Sequence, residues 1–509
     1  MDVTQILMLI TILVYLAAMV GIGAVLAKQN QTTDDFYLGG RTLGPLVTAM
    51  SAEASDMSSW LLMGLPGVAY LSGTADAAWT AIGLAIGTYV NWLVVAKRLR
   101  NYTHVCGNST TLPLFFSNRY RDNKRILSVI AALLIIIFFV PYTASGFAAC
   151  GKLFANLFGM DYLPAMLISA IVIVAYTTLG GFLAASTTDF VQSIVMTIAI
   201  VVVFGFGISK VGSFSAVMDN AKSMAGYFSL THTHDVATGT ASPYSLLQIF
   251  STLAWGLGYF GMPHVLLRFM AIGDANKLKL SRRVATVWVV ISMAVSVFIG
   301  VIGNAMTKAG VLPTLKDPET IILVVADLIS KHGVLATIIA GLILAGILAA
   351  TMSTADSQLL AASSSASQNI LKEVFMKDMS EKTGMLIARI TVLVIALIGV
   401  FIARNPDSSV FQIVSFAWAG FGASFGPLVL LALFWKRSTL QGALAGMVSG
   451  GVMVFVWKFL IRPMGGALGI YELLPAFLLG LAVNVIVSLL TPAPSREVQD
   501  EFDKVASMK

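Results

Sequence analysis

The chain has 509 residues, of which 57% are hydrophobic and only 11% charged, with a formal net charge of +7. A soluble chain carries about 25% charged residues, so the composition excludes an ordinary water-soluble domain and indicates a polytopic protein solvated by a bilayer. The positive balance is then no nucleic-acid footprint; its meaning depends on which membrane face holds the basic residues.

Thirteen apolar segments are long enough to cross a hydrocarbon core of about 30 Å. They run approximately 5–27, 43–71, 78–96, 126–151, 162–181, 187–209, 244–271, 284–306, 333–366, 385–403, 410–434, 439–460 and 472–491. All are expected to be helices, because lipid cannot satisfy open strand edges. The first begins "MDVTQ", with no basic leader or clear cleavage site, so it is expected to be retained.

Orientation follows from lysine and arginine. With the N-terminus outside, the inner side holds Lys28, Arg41, the run from Lys97 to Arg125, the group from Arg268 to Arg283, Lys372, Lys377, Lys382, Arg389, Lys436, Arg437, Arg496, Lys504 and Lys509. That is 23 of the 32 basic residues, in accord with the positive-inside rule. An even number of spans would break this bias. The C-terminus is therefore expected on the cytoplasmic side.

The two cysteines, Cys106 and Cys150, fall on opposite faces of that map and are not expected to pair. No HExxH, zinc-type cysteine spacing, phosphate loop or Gly-x-Ser-x-Gly elbow occurs. "THTHD" (231–235) places two histidines in the longest outer loop, where a solvated polar loop is a better account than a metal site. The tail "SREVQDEFDKVASMK" reads as a short, solvated cytoplasmic helix.

Three segments depart from a plain lipid-facing helix. "SAEASDMSSWLLMGLPG" in the second span combines Glu53, Asp56 and four serines with Gly64, Pro66 and Gly67. A helix unwound near mid-membrane gains from such a composition, since broken ends expose carbonyls and amides that hold ions and ligands. An acid inside the membrane marks a functional site by default, and Asp56 is the stronger candidate. Glu53, one turn nearer the cytoplasmic end, fits a structural partnership better.

"ILAATMSTADSQLLAASSSASQ" (347–368) in the ninth span is rich in small and hydroxyl residues. Tight helix packing accounts for Ser363, Ser364 and Ser365. Ser353 and Thr354 offer adjacent neutral hard oxygens, the ligand type an alkali cation needs. In the seventh span, "STLAWGLGYFGMPHVLLRF" (251–269) is interrupted by Gly256, Gly258, Gly261 and Pro263, with Trp255 and Tyr259 four residues apart on one helical face. An unwound helix lined by aromatics makes a small-solute pocket.

The interrupted spans are five apart. Spans 2–6 and 7–11 then form two five-helix units entering from opposite faces, the inverted repeat of many secondary transporters. The expected organisation is an N-terminal extra helix and inner loop (1–42), a first repeat (43–209), an outer loop (210–243), a second repeat (244–434), two C-terminal helices (435–491) and a cytoplasmic tail (492–509).

"LGGR" with Arg41, "SAEASDMSSWLLMGLPG", "TTLGGFLAASTTDFVQ" (177–192), "WGLGYFGMPHVLLRF" and "AATMSTADSQLL" together resemble the sodium:solute symporter family, and within it the proline-transporting members most. Five motifs in matching order cover nearly the whole chain. The resemblance implies an all-α polytopic membrane protein of about 13 transmembrane helices. Its fold would be leucine-transporter-type, a 5+5 inverted repeat with one extra N-terminal and two extra C-terminal helices. It implies sodium-coupled uptake of L-proline by alternating access, with no cofactor beyond the coupling ion, in a bacterial inner membrane.

By the same resemblance, one sodium lies between the carbonyls of Ala54, Met57 and Ala350 and the hydroxyls of Ser353 and Thr354. Asp56 matches the family's essential acid and Ser58 a neighbouring functional serine. Tyr142, Trp255, Tyr259 and Pro263 match positions lining the proline pocket. Arg41 matches a functional arginine at the inner end of the second span, and Asp189 an acid that in some relatives helps hold a second sodium. Glu53 and Ser59 stand where such symporters often have glycine, and Asp356 and Ser357 also depart from the familiar pattern. Asp356, three residues beyond Ser353, is expected to add charge to the ion region.

Under this reading Asp56 compensates a cation, and the solute's ammonium, at mid-membrane. A 100 mV potential supplies about 2.3 kcal/mol per charge, and a tenfold sodium gradient roughly 1.4 kcal/mol more. Other solutes of the family, such as pantothenate or an osmolyte, are the nearest alternative. A sensor would be expected to carry a signalling domain, and a membrane enzyme a nucleophile–base pair or metal cluster; His264 is the sole histidine near any of the three segments.

Overall fold

The computed structural model describes residues 2–27, 32–375, 380–405 and 409–508. Lys28, Lys377 and Lys509, counted above on the inner side, lie outside the described residues. Among the described residues, ten helices are long and apolar enough to cross a membrane. Of the other three expected spans, the second and seventh are assembled from shorter pieces and the fifth has a shorter apolar helix, so helix length yields ten rather than thirteen. The fifth, whose apolar helix covers Tyr162–Ala175, runs into the sixth through a kink at Gly181, where φ is +66°.

The second span is broken where its composition changes. Its first half, Pro45–Asp56, stops at Met57, which leaves helical geometry with φ −80° and ψ 73°. A wide turn over Trp60–Gly64 follows, and a helix resumes over Leu65–Ser72 with proline in its first turn, where the missing N–H costs nothing. The seventh span is likewise in three parts: Leu246–Leu253, a tight 3₁₀ stretch Ala254–Gly261, and Pro263–Ala271, which proline again opens.

Glycine is required at the seventh-span break because other chains occupy the space a side chain would take. A Cβ on Gly258 would lie 2.0 Å from Nε1 of Trp418, and one on Gly256 would lie 2.2 Å from the carbonyl oxygen of Gly83. On the third span, a Cβ on Gly87 would fall 2.4 Å from the Gly256 carbonyl oxygen. The third and seventh spans thus touch backbone to backbone, the close approach that small residues permit in a bilayer.

The ninth span, Val334–Ser364, is buried along its central and later turns and packs against the fifth-to-sixth helix and the first half of the second span. This places the hydroxyl-rich stretch opposite the second-span break.

"THTHD" forms a strand, His232–Asp235, paired antiparallel with Thr240–Pro243. Asp235 accepts backbone N–H bonds from Ala237 and Thr238, which hold its carboxyl below the usual carboxylate range. The tail is a helix, Arg496–Ser507, but it is not merely solvated. Val498, Phe502 and Val505 are buried, Phe502 lies edge-on to Tyr102 at 6.4 Å, and Glu501 pairs with Arg121 at 2.8 Å. Cys106 and Cys150 are both free and buried.

Candidate functional site

The break in the second span frees backbone groups, and their new partners define the site. The Asp56 carbonyl accepts from Ser58 N at 2.9 Å, from the Trp60 indole at 3.1 Å and from the Tyr142 phenol at 3.1 Å. The Asp56 side chain is fully buried, and one carboxylate oxygen accepts from the Tyr259 phenol at 2.6 Å. Both interrupted helices therefore meet at Asp56. A short phenol–carboxylate bond of this kind is charge-assisted when the acid is ionised.

On the ninth-span side, Ser353 Oγ donates to the Ala54 carbonyl at 2.8 Å and to the Ala350 carbonyl at 3.2 Å, and Thr354 Oγ1 lies 3.1 Å from the same Ala350 oxygen. Four of the five groups implied as sodium ligands are thus joined directly. The fifth, Met57, is the buried residue that ends the first half of the span. These carbonyls and hydroxyls are neutral hard oxygens gathered at a helix break, a donor set that suits an alkali cation.

The expected aromatic wall is arranged differently from the reading of its spacing. Trp255 and Tyr259 share a face only at α-helical pitch, and Ala254–Gly261 is a 3₁₀ helix of three residues per turn. Tyr259 therefore turns to Asp56. Trp255 turns to a large cleft bordered by Phe411, Gln412, Ser415 and Tyr471, with its ring stacked on Tyr471 at 5.1 Å. Trp418, which sequence reasoning missed, joins the two. Its indole donates to the Trp255 carbonyl at 2.8 Å and its ring stands perpendicular to Tyr259 at 5.0 Å.

Tyr142 and Ser58 line a narrow crevice together with Thr354 and Gln358, between the two groups just described. The Ser59 hydroxyl is buried without a hydrogen-bond partner among the described residues. Pro263 is buried and starts the last part of the seventh span. Arg41 sits apart from this centre: its guanidinium donates to Asn108, to the Met270 carbonyl at 2.6 Å and to the Ser109 carbonyl at 2.7 Å. It ties the ends of three segments together.

A second buried polar group surrounds Arg268, counted above among the inner-side basic residues. The residue is 1% exposed. Its guanidinium donates to Ser51 at 3.0 Å, to Asp189 at 3.2 Å and to Ser357 at 2.6 Å, and Ser51 also donates to Asp189 at 2.7 Å. Ser357 donates in turn to Asp356 at 3.2 Å. Asp189, Asp356 and Ser357 are thus brought together around an arginine. An arginine within "VLLRFM" is itself an intramembrane charge, the signal that marks it for attention.

The helical bundle and its two interrupted helices are those of a membrane transporter rather than an enzyme, as the family shows. The Sodium:solute symporter family profile matches residues 36–450, and the chain belongs to that family. Among curated relatives, the high-affinity proline transporter PutP of Bacillus subtilis is 42% identical over 482 residues, covering 95% of this chain and 98% of that one. The sodium/proline symporter of Escherichia coli is 41% identical over 500 residues, 97% of this chain and 95% of its own. The osmoregulated proline transporter OpuE of Bacillus subtilis is 40% identical over 96% of both chains. Among solved structures, a Na+-coupled sialic acid symporter in a substrate-bound outward-open state superimposes with a TM-score of 0.79 at 19% identity, covering 96% of this chain and 99% of that one. MhsT in complex with L-phenylalanine gives 0.54 at 13% identity, over 88% and 98%. The leucine-transporter-type fold that the family resemblance implies is therefore the fold of this chain.

Proposed function

We propose that this protein is a secondary active transporter that couples sodium entry to uptake of L-proline by alternating access. The observation that carries the reading is the junction at Asp56, where both helix breaks meet through the Tyr259 phenol. The proline-transporting relatives, aligned over nearly the full chain, supply the solute.

In this reading the Ala54, Met57 and Ala350 carbonyls and the Ser353 and Thr354 hydroxyls hold the ion. Asp56 supplies the negative charge that a cation and a secondary ammonium require where water is scarce. Tyr259, Tyr142, Ser58 and Ser59 border the solute, Pro263 and Gly258 shape the backbone around it, and Trp255 faces its approach from the large cleft. Asp189, Asp356 and Ser357 gather around Arg268 and position the ninth span behind the hydroxyl pair. Arg41 holds the inner ends.

Residues 43–209 and 244–434 serve as the two inverted repeats in a bacterial cytoplasmic membrane. The N-terminus and the His232–Asp235 hairpin lie outside and the C-terminal helix inside, as the basic residues favour. Uptake of labelled L-proline into proteoliposomes tests the reading directly. Accumulation is expected only with sodium imposed outside at higher concentration. Equal accumulation under a potassium gradient would sink it.

A further inference from the structure

Two helical faces meet at Tyr259. On the second span, Glu53 and Asp56 are three residues apart and point the same way. On the third span, Thr88, Asn91 and Trp92 occupy one face at spacings of three and four. Tyr259 is tied to both: its phenol donates to one Asp56 oxygen at 2.6 Å, and its carbonyl accepts from Asn91 Nδ2 at 3.1 Å. The Thr88 hydroxyl lies beside the same phenol. Trp92 Nε1 donates to Glu53 Oε1 at 2.7 Å.

After these bonds are counted, four oxygens are left over. Glu53 Oε2, Asp56 Oδ1, Thr88 Oγ1 and Asn91 Oδ1 have no hydrogen-bond partner among the described residues. All four residues are at most 1% exposed. The indole N–H and the phenol O–H that face the two acids are both already used. Among the described residues no lysine or arginine pairs with either acid, since Arg268 is engaged by Asp189 and Ser357. His264, on the same span as Tyr259, has no hydrogen-bond partner and is packed against Phe139. Leaving such oxygens unmatched in a dry interior is costly for each group, and more so for a carboxylate.

We propose that Glu53, Asp56, Thr88 and Asn91 form a second sodium site, distinct from the one at Ser353 and Thr354, so that this protein binds two sodium ions. Hard oxygens of carboxylate, amide and hydroxyl type are the ligand chemistry of a small alkali cation, and the second and third spans, bridged by Tyr259, supply them. One ion leaves one carboxylate charge uncompensated. The solute's ammonium is the group that matches it, so the second ion and the solute complete one another's charge balance at Asp56. The proposal rests on the reading of the chain as sodium-coupled.

Equilibrium binding of radioactive sodium to the purified full-length protein, without proline, tests it. Wild type is expected to bind about two ions, Ser353→Ala with Thr354→Val about one, and Glu53→Gln about one, with sodium-dependent thermal stabilisation falling in step. Combining the three substitutions should abolish both readouts. Thr88→Val serves as the second variant should Glu53→Gln fail to fold, and is expected to weaken one class of ion by about tenfold, the loss of one ligand. Retention of two ions by folded Glu53→Gln, or a single ion in wild type, overturns the proposal. So does a Ser353→Ala, Thr354→Val protein that binds no sodium yet releases a proton on alkalinisation, which would make the acids a proton site. Two bound ions without proline uptake would instead count against the solute assignment alone.

Discussion

The two helix breaks reach the same point by opposite chemistry. The break in the second span is made of small, hydroxyl and acidic residues, and its freed carbonyls are taken up by serine, tryptophan and tyrosine donors. The break in the seventh span contains no charged residue between Ala254 and Pro263. It is held open by glycines whose missing side chains admit Trp418 and the third-span backbone. One break offers oxygens and charge; the other offers ring surface and a precise fit. The difference implies a division of labour, with the sodium at Ser353 and Thr354 answering mainly to the second and ninth spans and the solute to the seventh.

Substitutions at each break should separate the two ligands. The largest effect is expected from Asp56→Asn, which keeps size but removes buried charge. A loss of about 3 kcal/mol, typical of breaking a buried pair, corresponds to roughly 100-fold less uptake. Initial-rate uptake, with membrane insertion checked by surface labelling, measures it. A rate within a few-fold of wild type would mean that the acid is not shared by both breaks.

Next, Ser353→Ala with Thr354→Val removes two hydroxyls without touching the aromatic side. The sodium concentration for half-maximal uptake should rise at least about tenfold, equivalent to about 1.4 kcal/mol. Apparent proline affinity at saturating sodium should move much less. Tyr259→Phe deletes the 2.6 Å bond to Asp56. It is expected to weaken apparent proline affinity by about tenfold, within the range for a hydrogen bond to a charged group. Competition assays check this. Unlabelled proline should also compete far better than pantothenate or glycine betaine, and the reverse order would reassign the solute while leaving the ion site intact.

The last expected effect is on stability, with the least change in turnover. Gly258→Ala must displace the Trp418 indole, which overpacking studies place at about 1–3 kcal/mol. A lowered melting temperature of the purified protein, with sodium dependence preserved, is the expected result. An unchanged melting temperature would show that Trp418 is free to move aside.

Much of this was legible because lipid makes charge conspicuous. Asp56, Glu53 and the Ser353–Thr354 pair stand out in apolar runs, and proline with glycine marks both breaks. What stayed hidden depended on pitch and on distant partners. Trp255 and Tyr259 look like one face until the backbone tightens to a 3₁₀ helix and sends them to different neighbours. In sequence Arg268 resembles a topogenic anchor, since a lone arginine near a span end looks the same whether it faces water or Asp189. Trp92, Trp418 and Asn91 carry no sequence signal beyond ordinary core composition. Their roles arise from which spans adjoin. The C-terminal helix has the charge of a solvated segment, and only its register of Val498, Phe502 and Val505 discloses a docked side.

The contact among Gly83, Gly87 and Gly256 bears on how the molecule moves. With no side chains between them, the third and seventh spans have nothing to slide on and no rotamers with which to absorb a change of angle. They are expected to travel as one piece through the transport cycle, carrying Thr88, Asn91 and Tyr259 together. The give has to come from surfaces padded by adaptable side chains, such as the seam where Trp255 meets Phe411 and Tyr471. The fixed joint decides where the hinge is not.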